Sequence, residues 1–287
     1  MSNVLVMTDS VACVPRELAD EYNITVIPAA NILINGDTYI DGVTISHAQA
    51  YDFIKKDPDR FVTSALAPGD IVSEYRKAGS KADSILVITL SSALSALYKT
   101  ACLAAGSFQE ESPTTTVRVI DSRTCAGAQG LVVLAAAKAA AQGMSLDQVA
   151  NVAEKAREKT GGIMLLDTLR YVYRTGRMSK TASRIASILN IRPINWITEE
   201  GKVELLARAR KREDGMRQLV GLIKEKADSD SLHFLVSHAA APGMADRVSE
   251  LLREEFNCLS LAISEYSPVM GYGAGPGAIF VGFQPEL

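Results

Sequence analysis

The chain has few of the residues that build metal centres and disulfides. Its 287 residues include four cysteines and three histidines. Cys13, Cys102, Cys125 and Cys258 are far apart in the sequence, and none belongs to a C-x-x-C pair. The histidines lack the spacing of a zinc site, and no H-E-x-x-H occurs. We therefore expect no metal, no cofactor and reduced thiols in a cytoplasmic protein.

The sequence also lacks long apolar runs and an excess of positive charge. Its longest apolar stretch, 131–141, is too short to cross a bilayer and contains Lys138. The N-terminus enters a strand-like run without a basic segment, so we do not expect a signal peptide. A formal net charge of −3 argues against a dedicated nucleic-acid binder, because no global excess of cations can release counterions from phosphates.

What the chain does have is a regular alternation of strand-like and helix-like segments. Apolar runs at 4–7, 85–90 and 117–120 are each followed by Thr, Ser or Asp and then by a periodic segment, the pattern of a parallel α/β sheet. We predict an α/β fold with an N-terminal parallel-sheet domain over 1–160 and a smaller α/β domain over 161–287. Helices are predicted at 15–22, 46–56, 68–78, 93–109, 127–142, 169–175, 179–189, 212–227 and 242–256. Ser145-Leu146-Asp147-Gln148 has the spacing of a capping box and predicts a further helix to about residue 159.

Two glycine-containing stretches predict turns. Asn35-Gly36 interrupts an apolar segment and is a strong signal for a two-residue hairpin. Near the C-terminus the chain reads GYGAGPG over 271–277, which resembles a phosphate-binding loop. Such a loop requires a helix immediately after it, whereas the following segment, 278–283, is β-branched and aromatic. We therefore expect a close-packed turn before a final strand.

Hydroxyl side chains cluster after the predicted strands. If the sheet is parallel, these groups converge at its carboxyl edge, where open α/β sheets bind ligands. Singly, each is equally typical of a helix cap. Asp9, Asp41, Asp121 and Asp167 likewise suit turns as well as acid-base chemistry. No G-x-S-x-G motif marks a nucleophile, although a hydrolase or transferase acting on an acyl group through a serine of 91–95 stays an alternative.

Two groups of basic residues are candidates for anion recognition. Arg170, Arg174 and Arg177 have helical spacing, so they either clamp a carboxylate or form a solvated face. The run Arg-Ala-Arg-Lys-Arg over 208–212 is locally basic in an acidic chain. It is interpreted either as a solvated hairpin end or as a docking patch for an acidic partner.

Several of these stretches, taken in order, resemble the DegV family of bacterial fatty-acid-binding proteins. The resemblance runs nearly end to end, and no single motif in it is diagnostic. The matching segments are VMTDS (6–10), PREL (15–18), INGDTYIDGV (34–43), TS (63–64), APG (67–69), ITLSSALS (88–95), DS (121–122), DTLRY (167–171), GRMS (176–179), LNIRP (189–193) and GPG (275–277).

The resemblance implies a non-catalytic two-domain carrier that buries a long-chain fatty acid, such as palmitate, in a tunnel between or within its domains. It places the carboxylate on Thr63, Ser64, Ser91 and Ser92, with Arg170 as a nearby cation. It also implies a fatty acid kinase as partner, for which Arg208, Arg210, Lys211 and Arg212 form our candidate docking patch. Helices at 93–105 and 182–189 are expected to line the tunnel.

The sequence departs from the family pattern at two positions. Gly273 stands where the family often has histidine, and Ala96 stands where it has glycine. A regulatory module in which a lipid is only structural remains a third alternative to the carrier and to the enzyme.

Overall fold

The computed structural model describes residues 3–178 and 191–287. The helix predicted at 179–189 and the lining helix expected at 182–189 lie outside these residues. The strands of the first part are β1 (Val4–Asp9), β2 (Thr25–Ile27), β3 (Asn31–Ile34), β4 (Asp37–Ile40), β5 (Phe61–Ser64), β6 (Ser84–Thr89) and β7 (Thr116–Asp121). Its helices are α1 (Arg16–Glu21), α2 (His47–Lys56), α3 (Pro68–Gly79), α4 (Leu97–Glu111), α5 (Ala126–Ala141) and α6 (Leu146–Lys159).

The second part continues the alternation. Its strands are β8 (Gly161–Leu165), β9 (Arg192–Ile197), β10 (Val203–Ala209), β11 (Ser231–His238), β12 (Asn257–Glu265) and β13 (Ile279–Pro285). Its helices are α7 (Arg170–Arg174), α8 (Arg212–Lys226), α9 (Pro242–Glu255) and α10 (Pro268–Ala274). No helix in either described range is long and apolar enough to cross a membrane.

The first sheet confirms the predicted parallel arrangement. Its order is β2-β1-β6-β7, and all three pairings are parallel. Every residue of β1 is buried, as expected for a strand covered on both faces. The carboxyl ends of β1, β6 and β7 consequently meet at one edge, so the hydroxyls that follow these strands lie along the same side of the sheet.

A second, three-stranded sheet has the order β4-β3-β5 and is antiparallel. The predicted hairpin is confirmed, since Ile34 pairs with Asp37 across the two-residue turn. Asn35 and Gly36 have φ angles of 54° and 96°, which is the backbone that this turn requires. The third strand, β5, carries Thr63 and Ser64 at its end.

The third sheet has six strands in the order β10-β9-β8-β13-β11-β12. Only β11 and β12 are parallel neighbours in it. Helix α5 packs against this sheet through glycine: a Cβ added at Gly127 would lie 2.1 Å from the carbonyl oxygen of Leu235. One hydrophobic core includes Met7 from the first sheet and Phe280 from the third. The division into domains at residue 160 stays a prediction.

The interpretation of 271–277 as a turn is wrong for its first residues. Helix α10 extends through Ala274 because Ser267 caps it, accepting a hydrogen bond from the N–H of Met270 over 3.3 Å, and Pro268 starts it. The turn is confined to Gly275 and Gly277, whose φ angles are 85° and 84°. A Cβ at Gly275 would lie 2.1 Å from the ring of Tyr171, so close packing requires glycine there. The predicted final strand is confirmed as β13.

The helix predicted at 93–109 begins later than expected, at Leu97. Residues 91–96 form a turn instead, because serine side chains compete for the backbone N–H groups of a first helical turn. The Ser91 hydroxyl accepts a hydrogen bond from the N–H of Ala93, and the Ser95 hydroxyl accepts one from the N–H of Leu97, each over 3.2 Å. Residues 93–96 are therefore irregular chain rather than helix.

Candidate functional site

A cavity of about 310 Å³ lies between the carboxyl edge of the parallel sheet, the three-stranded sheet, and helices α7 and α10. Both parts of the chain contribute to its wall. Its lining residues are Val11, Ala29, Ala30, Thr63, Ser64, Ala65, Leu90, Leu94, Ser95, Ala96, Cys125, Met164, Val172, Thr175, Arg177, Val203, Val269, Met270, Tyr272, Gly273 and Ala274.

The deep part of this cavity is apolar. Val11, Met164 and Val172 are buried, and they come from the first turn after β1, from β8 and from α7. Tyr272 of α10 stacks on Phe61 of β5, with ring centroids 4.9 Å apart. Since apolar side chains exclude water and offer no charge, this region suits a hydrocarbon ligand.

The mouth of the cavity is polar by comparison. Four lining residues there are exposed, namely Ser64, Ala65, Ala96 and Arg177. Thr63, which precedes Ser64 on β5, is half-buried. Neither Thr63 nor Ser64 forms a side-chain hydrogen bond within residues 3–178 and 191–287. Neither hydroxyl thus has a bonding partner among the described residues, and both residues line the entrance.

Arg177 brings a positive charge to the mouth. Its Nε donates to the carbonyl oxygen of Leu94 over 3.3 Å, and its Nη1 approaches that of Thr175 at 3.4 Å. Among the described lining residues it is the sole cation. Because these two acceptors are neutral carbonyls, the guanidinium keeps its charge uncompensated and favours an anion nearby.

The five carboxylate ligands predicted from the sequence do not all reach the cavity wall. Thr63 and Ser64 line it. Ser91 is buried outside it and donates its hydroxyl hydrogen to the carbonyl oxygen of Gly201 over 2.9 Å. Ser92 is exposed, and Arg170 is exposed at the first residue of α7. The assignment of these residues to the head group stays a prediction.

Two lining residues were not assigned to the head group from the sequence. Ser95 was recognised only as one of several hydroxyls after β6, and its position at the cavity follows from the turn that delays α4. Arg177 was one of three arginines at helical spacing. The signal that separates it from Arg170 is Gly176, whose φ of 71° ends the helix and redirects the chain.

A buried carboxylate, that of Asp9, braces the walls of the site. Asp9 accepts hydrogen bonds from the N–H groups of Val11 (3.0 Å) and Leu90 (2.8 Å), both of which line the cavity, and from Nε2 of Gln129 (3.0 Å). Burial raises the pKa of Asp9 to about 6, although these donors oppose that shift. Asp9 therefore fixes the turns after β1 and β6, and this role is structural.

The basic run 208–212 begins at the open end of the β9-β10 hairpin, where Arg208 pairs with Pro193, and leads into helix α8. Arg212 Nη2 lies 2.6 Å from Oδ2 of Asp167, and this hydrogen bond raises the pKa of Arg212. Arg208, Arg210 and Lys211 are exposed and form no ion pair within the described ranges.

Histidine contacts bear on the alternative of a serine nucleophile. His47 lies 3.3 Å from Glu265, His233 lies 2.8 Å from Ser260, and His238 accepts from the N–H of Ala241 over 3.3 Å. None of these contacts involves a serine of 91–95. Within the part of the chain that the structure describes, the enzyme alternative thus lacks a base paired with its serine.

Comparison with known proteins identifies the family of this chain. The sequence model of the DegV family matches residues 3–286. A DegV domain-containing protein of Streptomyces coelicolor is 31% identical over 283 residues, which cover 97% of each chain. Both the length and the identity of this match place the two chains in one family.

Solved structures share the fold over nearly the whole chain. A DegV family protein from Thermus thermophilus, described as binding fatty acid, has a TM-score of 0.89 at 22% identity and covers 100% of both chains. One from Eubacterium eligens, loaded with heptadecanoic acid, has a TM-score of 0.87 at 20% identity and covers 99% of this chain and 100% of that one. Because the family model matches residues 3–286 and a relative is 31% identical over nearly its whole length, this chain belongs to the DegV family.

Proposed function

We propose that this protein binds a long-chain fatty acid, with the acyl chain inside the cavity and the carboxylate at its mouth. The observation that carries the proposal is the polarity of the cavity: an apolar interior ends at hydroxyl groups and one arginine. The fatty acids described for structures of the same fold support the same ligand class. The role is that of a carrier without catalysis.

The tail supplies most of the affinity in this proposal. Burying a sixteen-carbon chain at about 0.8 kcal/mol per methylene contributes on the order of 10 kcal/mol. Association and ordering cost several kcal/mol, which leaves an affinity in roughly the micromolar to nanomolar range. A cavity of about 310 Å³ lies at the lower end of the range for small-molecule sites, so a single acyl chain is a suitable occupant.

The head group is held in our proposal by Thr63 and Ser64, with Ser95 and Arg177 beside them. Neutral hydroxyls give orientation, at about 1 kcal/mol net for each hydrogen bond and somewhat more to a charged oxygen. Ser91 acts indirectly, because its hydroxyl fixes the turn that presents Ser95. Ser92 and Arg170, which the family resemblance suggests, are the competing assignment.

Titration calorimetry on delipidated protein tests this function. We expect palmitate to bind. Hexadecanol, which has the same tail without the carboxylate, should bind with an affinity about tenfold lower. Failure of both ligands to bind would contradict the carrier role. Equal affinity for the two would place the carboxylate away from Thr63, Ser64 and Arg177. Ester hydrolysis by the same preparation would favour the enzyme alternative.

We further propose that the bound fatty acid is presented to a separate kinase that forms an acyl-phosphate. Arg208, Arg210 and Lys211 support this, since they are exposed cations on an acidic chain and suit an acidic partner. They lie at or just after the end of β10, and Val203, the residue of that strand that lines the cavity, is at its opposite end. Arg212 contributes less, because it is already paired with Asp167, a carboxylate that it shares with Arg192.

Charge reversal tests the docking patch. The double substitution Arg208→Glu with Arg210→Glu should slow acyl-phosphate formation by a fatty acid kinase, most strongly at low salt, and leave fatty-acid affinity unchanged. Lys155→Glu with Arg253→Glu is a matched control, because it changes the net charge equally at two exposed cations, on helices α6 and α9, that also form no ion pair within residues 3–178 and 191–287. Turnover equal to wild type at low salt would remove the patch from the proposal, and a loss of fatty-acid binding would show that it supports the fold.

A further inference from the structure

A second cavity lies between the turn after β7, the end of α6, the third sheet and the end of α8. Its volume is about 680 Å³, which is within the range of small-molecule sites. No described residue lines both this second cavity and the first one. The carrier function proposed above makes no use of it.

Part of the second cavity is apolar. Ile163, Leu232 and Phe283 are buried in its wall and come from β8, β11 and β13. Trp196 on β9 pairs with Ile163, is half-buried in the same wall, and is the only tryptophan of the sequence. The Nζ atom of Lys226 lies 3.8 Å from the centroid of the Trp196 ring. This wall suits the apolar body of a small organic ligand.

The least exposed cation of the second cavity is Arg157, in the last turn of α6. It is half-buried, whereas the other lining cations, Arg123, Lys159 and Lys226, are exposed. Its Nη1 donates to the carbonyl oxygen of Asp121 over 3.2 Å. Within the described ranges no carboxylate forms an ion pair with Arg157, so its charge favours an anion in the cavity.

Two buried polar atoms at this wall have no hydrogen-bond partner among the described residues. They are Nε of Arg157 and Oγ1 of Thr124. Thr124 is 5% exposed and lines the second cavity from the turn after β7. Because buried polar atoms of folded proteins are normally hydrogen-bonded, both groups favour a ligand that brings acceptor oxygens.

The acidic side chains of the second cavity lie at its rim. Glu158, Glu199, Glu225 and Asp228 are all exposed, and Asp228 lies 3.4 Å from Lys159. Water screens these exposed carboxylates, whereas the half-buried guanidinium of Arg157 is screened less. The inner part of the cavity therefore favours a negative group.

The two cavities share a wall. Thr124 lines the second cavity, and the next residue, Cys125, lines the first. The carbonyl oxygen of Thr124 accepts a hydrogen bond from the N–H of Ser91 over 2.8 Å. Ser91 in turn fixes the turn that presents Ser95 at the first cavity. A ligand that holds Thr124 therefore acts on the segment that carries Ser95.

We propose that the second cavity binds a small organic anion, with its carboxylate or phosphate on Arg157 and Thr124 and its apolar body against Trp196. Its occupancy steadies the shared wall and raises the affinity of the first cavity for fatty acid. By linkage, bound fatty acid raises the affinity for the anion by the same factor. This coupling rests on the proposed carrier function, whereas the second site does not.

Fluorescence of Trp196 tests the site directly, because the chain has no other tryptophan. Phenyl phosphate and phenylacetate are the anionic probes, and benzyl alcohol is an uncharged probe of similar size. We expect a saturable change in emission with at least one anion, and an affinity for benzyl alcohol at least about tenfold lower. Equal affinity for the alcohol, or no saturable change with either anion, would overturn the site.

Variants test the two assigned residues. Arg157→Gln should weaken anion binding by about tenfold or more, and Thr124→Val, which keeps the shape of the side chain, by about fivefold. Arg253→Gln is the matched control, because Arg253 lies in the last turn of α9 and lines neither cavity. Wild-type affinity in both Arg157→Gln and Thr124→Val would overturn the assignment. The titration of unaltered protein decides the site if a variant fails to fold.

Calorimetry with palmitate, in the presence and absence of the saturating anionic probe, tests the coupling. We expect the affinity for palmitate to rise about fivefold or more with the probe bound. An unchanged affinity would overturn the coupling, and displacement of the probe by palmitate would overturn a separate second site. If palmitate does not bind at all, the carrier function fails, while the fluorescence titration still decides the second site.

Discussion

The carboxylate of Asp41 accepts a hydrogen bond from the backbone N–H of Val269 over 3.1 Å, joining residues that are 228 positions apart in the chain. Ser10 donates its hydroxyl hydrogen to the same carboxylate, which is buried. Burial raises the pKa of Asp41, and the hydrogen bonds from Ser10 and Val269 oppose that shift. Because Val269 lines the cavity, a residue of the N-terminal part positions a wall built from the C-terminal part.

Removing this carboxylate should loosen the cavity wall. Asp41→Ala leaves two half-buried donors without their acceptor, so we expect the free energy of unfolding to fall by about 1–3 kcal/mol and bound fatty acid to dissociate faster. Denaturant unfolding and a dissociation assay measure the two effects. Asp37→Ala is the control, since Asp37 is exposed in the same hairpin. A dissociation rate equal to wild type would show that Asp41 does not position α10.

Asp9 should make stability depend on pH. Its pKa is about 6 in the folded protein against an ordinary value of 3.8, mainly because it is buried. The folded protein therefore binds this proton more tightly, and the resulting stability is fully present below about pH 3.8 and is lost as the pH rises through about 6. The Asp9→Asn variant has no proton to lose at this position, so its free energy of unfolding should not show this fall.

Between about pH 5 and pH 7.5 the free energy of unfolding of wild type should fall by about 1–2 kcal/mol relative to Asp9→Asn. Urea unfolding of both proteins across this range measures the difference. The comparison cancels titrations that the two proteins share. A constant difference between them would mean that Asp9 keeps one protonation state throughout this range, as a carboxylate held ionised would.

The two head-group assignments predict different variants to be defective. Thr63→Val with Ser64→Ala should weaken fatty-acid binding by about 1–3 kcal/mol without unfolding the protein, because both residues line the mouth of the cavity and their hydroxyls have no other partner among the described residues. Ser92→Ala should bind like wild type, since Ser92 does not line the cavity. Calorimetry with palmitate measures both. Normal binding by the first variant together with weak binding by Ser92→Ala or Arg170→Ala would move the carboxylate to the alternative site.

Gly273 should determine how much of the cavity an acyl chain can occupy. It lines the cavity, and a Cβ built on it meets no atom within 4 Å. Gly273→Leu should therefore place a side chain in free space at the wall and shift preference toward shorter or thinner acyl chains. Gly106→Leu is the matched control, because Gly106 also lies in a helix with nothing within 4 Å of an added Cβ. Identical chain-length preferences in all three proteins would contradict this role.

Local sequence signals predicted most of the fold because they act over a few residues. The two-residue turn at Asn35-Gly36 and the capping box at Ser145 and Gln148 were both found from the sequence and both occur. Helix α10 was missed because the glycines at 271 and 273 obscured the start signal at Ser267 and Pro268. The strand β5 was missed because only four residues form it, and they pair with β3 from a distant part of the chain.

The site was less predictable than the fold, since it depends on how irregular segments are directed. The parallel sheet explains why hydroxyls gather at one edge, and it does not distinguish Ser92 from Ser95. That distinction depends on the turn over 91–96, which Ser91 and Gly201 fix through a contact across 110 residues. Arg177 rather than Arg170 reaches the cavity because the chain leaves its helix at Gly176.

The measurement that tests the carrier function most directly is mass spectrometry of freshly purified protein after denaturation, with no fatty acid added. An apolar cavity should fill during expression and release its ligand slowly, so we predict a long-chain fatty acid in near-stoichiometric amount. Asp41→Ala, purified in parallel, should retain less of it. An apolar extract without stoichiometric fatty acid, from protein that also fails to bind added palmitate, would contradict the proposed function.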